Sequence, residues 1–298
     1  MKLLPLLAVV GLAASHGAAC RTPREERVAV DAAPTLRVAT FNVRRMFDTV
    51  CESGTCESDD YEAQPSPAFF EQRATQIATA IRALDADVIS LQEIETQACL
   101  DALLARLDGI HGVLGEISTV ASVDVAVLAK APIDLVVRHR ADEPLVLPDG
   151  TTTTFSRELL EVHAGGVIVF AAHFKAKSSD DPPRRLAEAQ VSRRIAMETA
   201  ARSPDAIVLL AGDLNDTPGS PPLDALTNDG GLIRLADDLP LSAQSTYYFQ
   251  GSGQAIDHLL LAPNAAARRV SRSSRVWRDG GTGWGGSDHA ALSSELTR

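Results

Sequence analysis

Residues 207–215 read Ile207-Val208-Leu209-Leu210-Ala211-Gly212-Asp213-Leu214-Asn215. The aliphatic run is short and β-branched at its start, so it reads as a buried strand. It stops at Gly212 and gives way to Asp213 and Asn215. Residues two apart on an extended chain point the same way. Asp213 and Asn215 are therefore expected to aim into one pocket.

The same grammar, an apolar strand beside a polar residue, recurs on both sides of this stretch. Asn42 follows Val38-Ala39-Thr40-Phe41, and Glu93 follows Val88-Ile89-Ser90-Leu91-Gln92. His173 follows Val167-Ile168-Val169-Phe170-Ala171-Ala172. Asp257 and His258 precede Leu259-Leu260-Leu261, and Asp288 and His289 precede the final apolar run. Between these strands the period changes. Phe70, Ala74, Ile77, Ala78, Ile81 and Leu84 recur at helical spacing, and helices are expected over Cys99–Leu107, from Arg184 to Ala201 and from Leu223. Further strands are expected at Leu36–Phe41, Val123–Leu128, Ile133–Val137, Val167–Ala172, Ile256–Leu261 and Ala290–Leu296. No repeat, low-complexity tract or interdomain linker interrupts the series. Periodicity thus indicates one α/β domain over residues 35–298.

Composition narrows the function. The 298 residues are 45% apolar and 22% charged, which excludes disordered and collagen-like classes. The formal net charge of −11 argues against a large basic surface that grips nucleic acid by counterion release. It leaves room for an enzyme that touches a few phosphates through a bound metal. Taken singly, each strand-end residue has a dull reading as a turn former, a helix-dipole partner or a buried histidine. Together they supply oxygen ligands suited to Mg²⁺, Mn²⁺ or Ca²⁺ and carboxylate–imidazole pairs suited to proton transfer. That inventory fits metal-assisted hydrolysis of a phosphate ester. No Cys-x-x-Cys or Cys/His cluster has zinc spacing.

At these positions the chain resembles the endonuclease/exonuclease/phosphatase superfamily, from about Leu36 to the C-terminus. Thr40-Phe41-Asn42-Val43, Leu91-Gln92-Glu93, Gly212-Asp213-Leu214-Asn215, Ile256-Asp257-His258 and Ser287-Asp288-His289 match its motifs in order. Phe155-Ser156-Arg157-Glu158 is similar to the phosphate-arginine segment of pancreatic-type deoxyribonuclease. The resemblance implies a four-layer α/β/β/α sandwich of two packed mixed sheets flanked by helices. It implies a metal bound by Glu93, with Asn42 and Asp288 completing or supporting the site. It implies phosphate contacts from Arg157, His173 and Asn215. His289 would be oriented by Asp257, and Asp213 is another candidate base for the attacking water. Arg44 stands where repair nucleases of the superfamily often carry Asp, which weakens an abasic-site repair assignment. His258 reads as a neighbour without a catalytic role, and Lys175 and Lys177 as phosphate contacts or a solvated loop.

Residues 1–19 carry one charge, Lys2, and an apolar run too short to span a bilayer, which is signal-peptide anatomy. Gly17-Ala18-Ala19-Cys20 suggests a lipoprotein with Cys20 lipidated, and residues 20–34 read as a tether. Export to the periplasm, the outer membrane or the medium is expected, with membrane attachment through the lipid. An exported chain can form disulfides, and Cys51 and Cys56 enclose a turn at Gly54. Cys99 is left as a small buried helix residue. Asp59, Asp60 and Glu62 form an acidic group in the same insertion, a calcium site or a solvated loop.

Three functions follow. The first is an exported phosphodiesterase acting on DNA or RNA. The second is an enzyme on a smaller or lipid-linked phosphoester such as a nucleotide, inositol phosphate or sphingomyelin. The third is a binding protein that has kept the fold. No protein partner is implied, and a monomer is the default.

Overall fold

A computed structural model describes residues 34–57, 60–117 and 120–298. The expected export segment, Cys20, the tether up to residue 33 and Asp59 lie outside the described residues.

In chain order the strands are β1 (Thr35–Met46), β2 (Val88–Ile94), β3 (His111–Gly115), β4 (Asp124–Ala129), β5 (Ile133–Arg138), β6 (Leu145–Val146), β7 (Thr152–Thr153), β8 (Leu160–Ala164), β9 (Val167–His173), β10 (Ile207–Asp213), β11 (Ile233–Arg234), β12 (Tyr247–Phe249), β13 (Ser252–Gln254), β14 (Asp257–Leu261), β15 (Arg275–Trp277) and β16 (Ala291–Thr297). The helices are α1 (Pro67–Leu84), α2 (Gln97–Leu104), α3 (Pro182–Arg202) and α4 (Pro221–Thr227). One six-stranded mixed sheet has the order β15-β16-β1-β2-β4-β3, and a second has β11-β14-β10-β9-β8-β5. Two short hairpins, β6-β7 and β12-β13, complete the set.

Alternation along the strands builds the layers. In β10, Leu209 and Ala211 face the other sheet and join Val38, Val88, Val125 and Val127 in the inter-sheet core. Val208 and Leu210 point outward against Ala189, Ile195 and Ala196 of α3 and Leu223 and Leu226 of α4. On the first sheet, Phe41, Ile89 and Leu91 point outward onto Ile77, Ile81 and Leu84 of α1 and Leu100 and Leu103 of α2. The result is helix, sheet, sheet, helix, the four-layer architecture expected. Helix ends follow local chemistry. Ser66 accepts a hydrogen bond from the Phe69 amide at the start of α1, and Asp181 accepts one from Arg184 at the start of α3. Prolines occupy the first turns of both, where no amide proton is needed.

Two differences from the sequence reading have plain causes. Strand β8 was not anticipated because Glu161 and His163 interrupt its apolar run. Glu161 is buried between His139 at 2.8 Å and His163 at 2.6 Å, so its charge is compensated inside the sheet. Helix α2 begins at Gln97, where Thr96 caps it through the Cys99 amide, and stops at Leu104 short of Leu107. Cys99 lies on it, buried, with its thiol donating to the Met46 carbonyl at 3.1 Å.

A buried acidic pair lies under the end of β2. Glu95 accepts the Asp48 amide through Oε2 at 2.7 Å, and its Oε1 has no partner. Burial, reinforced by the Asp48 carboxylate, raises the Glu95 pKa from 4.5 to about 7. The folded state thus keeps a proton that the unfolded chain releases near pH 4.5. This stabilisation is complete below pH 4.5 and is lost as pH rises through about 7. Glu95→Gln is expected to raise the thermal midpoint at pH 8 and leave it little changed at pH 4. With solvent screening at this half-buried carboxyl, the wild-type loss between those limits is about 1–2 kcal/mol. Equal midpoints for the two proteins at pH 8 would refute this account.

Candidate active site

Topology gathers the polar strand ends. Strand β14 runs antiparallel to β10 with Asp257 opposite Asp213, and β9 runs parallel to it with His173 opposite Asp213. Strand β16 runs antiparallel to β1, with Leu292 opposite Thr40, so its start lies beside Asn42. Starts of antiparallel strands and ends of parallel ones therefore meet on one rim. The close fit of β10 to β9 explains Gly212. A Cβ there would sit 1.8 Å from the Ala172 carbonyl oxygen.

Asn42 joins the two sheets at this rim. Its Nδ2 donates to Glu93 at 2.9 Å and to Asp213 at 3.0 Å, while its Oδ1 accepts the Arg44 amide at 2.9 Å. Asn42 is fully buried, and its amide positions both carboxylates. Glu93 also accepts the Arg45 amide at 2.7 Å. Asp288, half-exposed, contacts Arg44 Nε at 3.5 Å. Several of these residues hold left-handed backbone, with φ of 58° at Arg44, 41° at Arg45, 68° at Glu93 and 53° at Asn215. Such conformations cost about 1–3 kcal/mol each and persist where surrounding structure enforces them. Asn215 thus shares a pocket with Asp213 through a tight turn, its amide donating to Asp213 at 2.9 Å, and not through extended alternation.

Asp213 is the electrostatic hub. It lies 3.8 Å from His173 Nε2 and 3.9 Å from His289 Nε2. His289 Nδ1 contacts Asp257 at 2.9 Å, and Tyr247 lies over the ring with centroids 4.8 Å apart. Burial disfavours charge on His289, but Asp257, Asp213 and Asp288 overcome it and raise its pKa to about 10. Burial, with Arg157 and His289 nearby, pushes the His173 pKa well below its ordinary value. Burial and Asp257 raise Asp213 to about 7. One imidazole is thus held charged and the other neutral, the separation of roles that acid–base chemistry uses.

The groups face a cleft of about 830 Å³ lined by Glu93, Asp213, Asn215, Asp288 and both histidines. Arg44, Arg45, Arg157, Lys175 and Lys177 share that lining, a cationic rim on an acidic chain. Asp257 lies behind His289, and His258 is buried with Nε2 against the Asp216 carbonyl at 2.9 Å. The Asp213–Asp257–His289 cluster has its ligand atoms within 4.8 Å of one another. Asp257 is engaged with Nδ1 of a charged imidazole there, so the cluster suits a proton better than a metal. Glu93 and Asp288 bring hard oxygen donors to the cleft, the kind of donor that Mg²⁺-class ions prefer.

Sequence reasoning missed Glu188. It is fully buried on α3 and accepts the Ser156 and Lys175 amides at 2.7 Å each. It thereby ties the Arg157 segment to the chain that follows His173. Nothing in the charged sequence of α3 set it apart, since Arg185, Ser192 and Thr199 are buried on the same face. Glu62 does likewise for the Cys51–Cys56 disulfide, accepting the Glu52 and Ser53 amides at 2.7 Å each. Asp60 accepts the Glu57 amide at 2.8 Å.

The model of the Endonuclease/Exonuclease/phosphatase family matches residues 39–289. The chain belongs to that family. It is therefore a phosphoric ester hydrolase, in a family that generally depends on a divalent metal. No curated protein matches it. Solved structures of similar fold include truncated TDP2 of Caenorhabditis elegans, 15% identical over 89% of this chain and 98% of that one, with a TM-score of 0.60. The 3′ phosphatase NExo from Neisseria, bound to product DNA hairpin, is 18% identical over 88% and 99%, with a TM-score of 0.61. An endonuclease/exonuclease/phosphatase from Bacteroides vulgatus is 15% identical over 88% and 98%, also at 0.61.

Proposed function

We propose that this hydrolase is a phosphodiesterase that cleaves DNA or RNA by attack of water on phosphorus. The cationic rim carries the reading. Five basic side chains converge on one cleft in a chain of net charge −11, which favours a polyanionic substrate. The DNA hairpin bound to NExo is in keeping with it.

Each residue then has a role. Glu93 and Asp288, positioned by Asn42 and Arg44, would hold Mg²⁺, Mn²⁺ or Ca²⁺. Bound there, the ion would neutralise charge that develops on phosphoryl oxygens. Arg157, Asn215 and neutral His173 bind the phosphate. Asp213, with its raised pKa, accepts the proton of water. His289, charged and braced by Asp257, donates to the leaving oxygen.

The same proposal covers cellular placement. Residues 1–19 direct export, Cys20 carries a lipid and residues 20–34 tether the catalytic domain of residues 35–298 outside the cytosol. The Cys51–Cys56 disulfide supports it, since such bonds persist in oxidising compartments.

The test is hydrolysis by residues 21–298 with each metal in turn. Plasmid DNA, bis-p-nitrophenyl phosphate, p-nitrophenyl phosphate and sphingomyelin are offered side by side. DNA and the diester are expected to be cleaved, with Glu93→Ala lowering the rate by about 10²–10³. Turnover of the monoester or the lipid alone would overturn the diesterase reading in favour of a small-phosphoester enzyme.

A further inference from the structure

A second pocket, of about 390 Å³, adjoins the catalytic cleft and shares Tyr61 and Arg157 with it. Ser53, Thr55, Ser122, Arg140 and Ser156 contribute to its walls, as do Asp60 and Glu62, whose carboxylates are taken up by backbone amides. Tyr61 forms the partition. The residue is 47% exposed; the Arg45 guanidinium sits over one face of the ring with its carbon 4.7 Å from the centroid, and Phe47 packs against it T-shaped at 6.0 Å. Arg157 lies beside its hydroxyl.

The partition is braced. Glu62, next to Tyr61, is buried and holds the amides of Glu52 and Ser53 inside the disulfide turn. Gln64 Nε2 donates to the Thr49 carbonyl at 2.9 Å, a second rung across the base of the arm. The Cys51–Cys56 bond therefore fixes an aromatic ring at the edge of the catalytic cleft. None of these contacts is needed for attack on phosphorus.

We propose that Tyr61 and the pocket behind it bind the nucleotide that adjoins the scissile phosphate, and that the disulfide arm sets the preference for a strand over a small diester. This inference rests on the phosphodiesterase reading and names its substrate as single-stranded nucleic acid. A strand threading the cleft must leave it past its walls. At this wall it meets the Tyr61 face that Arg45 leaves uncovered, the guanidinium groups of Arg45 and Arg157 for phosphate, and hydroxyls for base edges. Stacking platforms interleaved with cations are how single strands are held without sequence preference.

The test compares a single-stranded oligonucleotide with bis-p-nitrophenyl phosphate, which has no adjoining nucleotide. Tyr61→Leu is expected to raise KM for the oligonucleotide about tenfold with kcat within about twofold, the scale of one lost base stack. Its oligonucleotide-to-diester ratio of kcat/KM should fall by a similar factor. Tyr61→Phe should restore both. The paired replacement Cys51→Ser and Cys56→Ser should lower the ratio in the same direction. An unchanged KM in Tyr61→Leu, an equal loss on both substrates, or a loss in Tyr61→Phe as large as in Tyr61→Leu would each overturn the inference and leave the phosphodiesterase reading standing. A wild-type enzyme that cleaves no oligonucleotide would remove that reading and this inference with it.

Discussion

His289→Asn should lower turnover of a nucleic acid phosphodiester by about 10³–10⁴, the upper part of the range for a general acid. The expectation is geometric first. Asp257 contacts Nδ1 at 2.9 Å, which turns Nε2 toward Asp213 and the cleft. The neighbouring carboxylates outweigh burial and keep the ring protonated at neutral pH. Asparagine keeps an N–H for Asp257 but not the positive charge, so part of the cost of about 3–5 kcal/mol for breaking a buried ion pair remains, and turnover is taken per folded molecule. The leaving group supplies the decisive contrast. A sugar alkoxide needs a proton as it departs, whereas p-nitrophenolate does not. The variant should therefore lose much less on bis-p-nitrophenyl phosphate than on DNA. Equal losses on both substrates would assign His289 to phosphate binding instead.

Gly212→Ala should abolish the native fold or lower its stability by more than about 4 kcal/mol. The new methyl would lie 1.8 Å from the Ala172 carbonyl oxygen, which is backbone and cannot rotate away. Relief requires β9 and β10 to separate at the pair Gly212–Ala172. That pair directly precedes His173 and Asp213, so any fraction that folds would carry both of these cleft-lining groups out of register. Urea unfolding followed by tryptophan fluorescence measures the midpoint, and activity per folded molecule measures the displacement. A wild-type midpoint would mean that the two strands can part here without cost.

Much of this was legible before the fold. The strand-end residues Asn42, Glu93, His173, Asp213 and His289 stood out because each interrupts or abuts an apolar run. Periodicity gave only an α/β class and the resemblance implied the four layers; in the structure Val208 and Leu210 face a helix while Leu209 and Ala211 face a sheet. What stayed hidden depends on partners far along the chain. Glu161 is tolerated in β8 only because His139 and His163 come to it. Glu188 matters because two backbone amides, from Ser156 and Lys175, converge on it. Nothing in the sequence singled out Tyr61, which lines the cleft beside an arm braced by a disulfide and Glu62. Local pattern reveals where a side chain points, but not what will be waiting there.

The pairing of β1 with β16 has a consequence in time. Thr35 lies opposite Thr297 and Thr40 opposite Leu292, so the first strand of the domain to be synthesised waits for the last one. Until β16 arrives, β1 lacks one neighbour and Asp288 and His289 are still being translated. A chain arrested on the ribosome before these residues thus lacks part of the cleft's lining. For a phosphoric ester hydrolase, that ordering makes completion of the cleft coincide with completion of the domain.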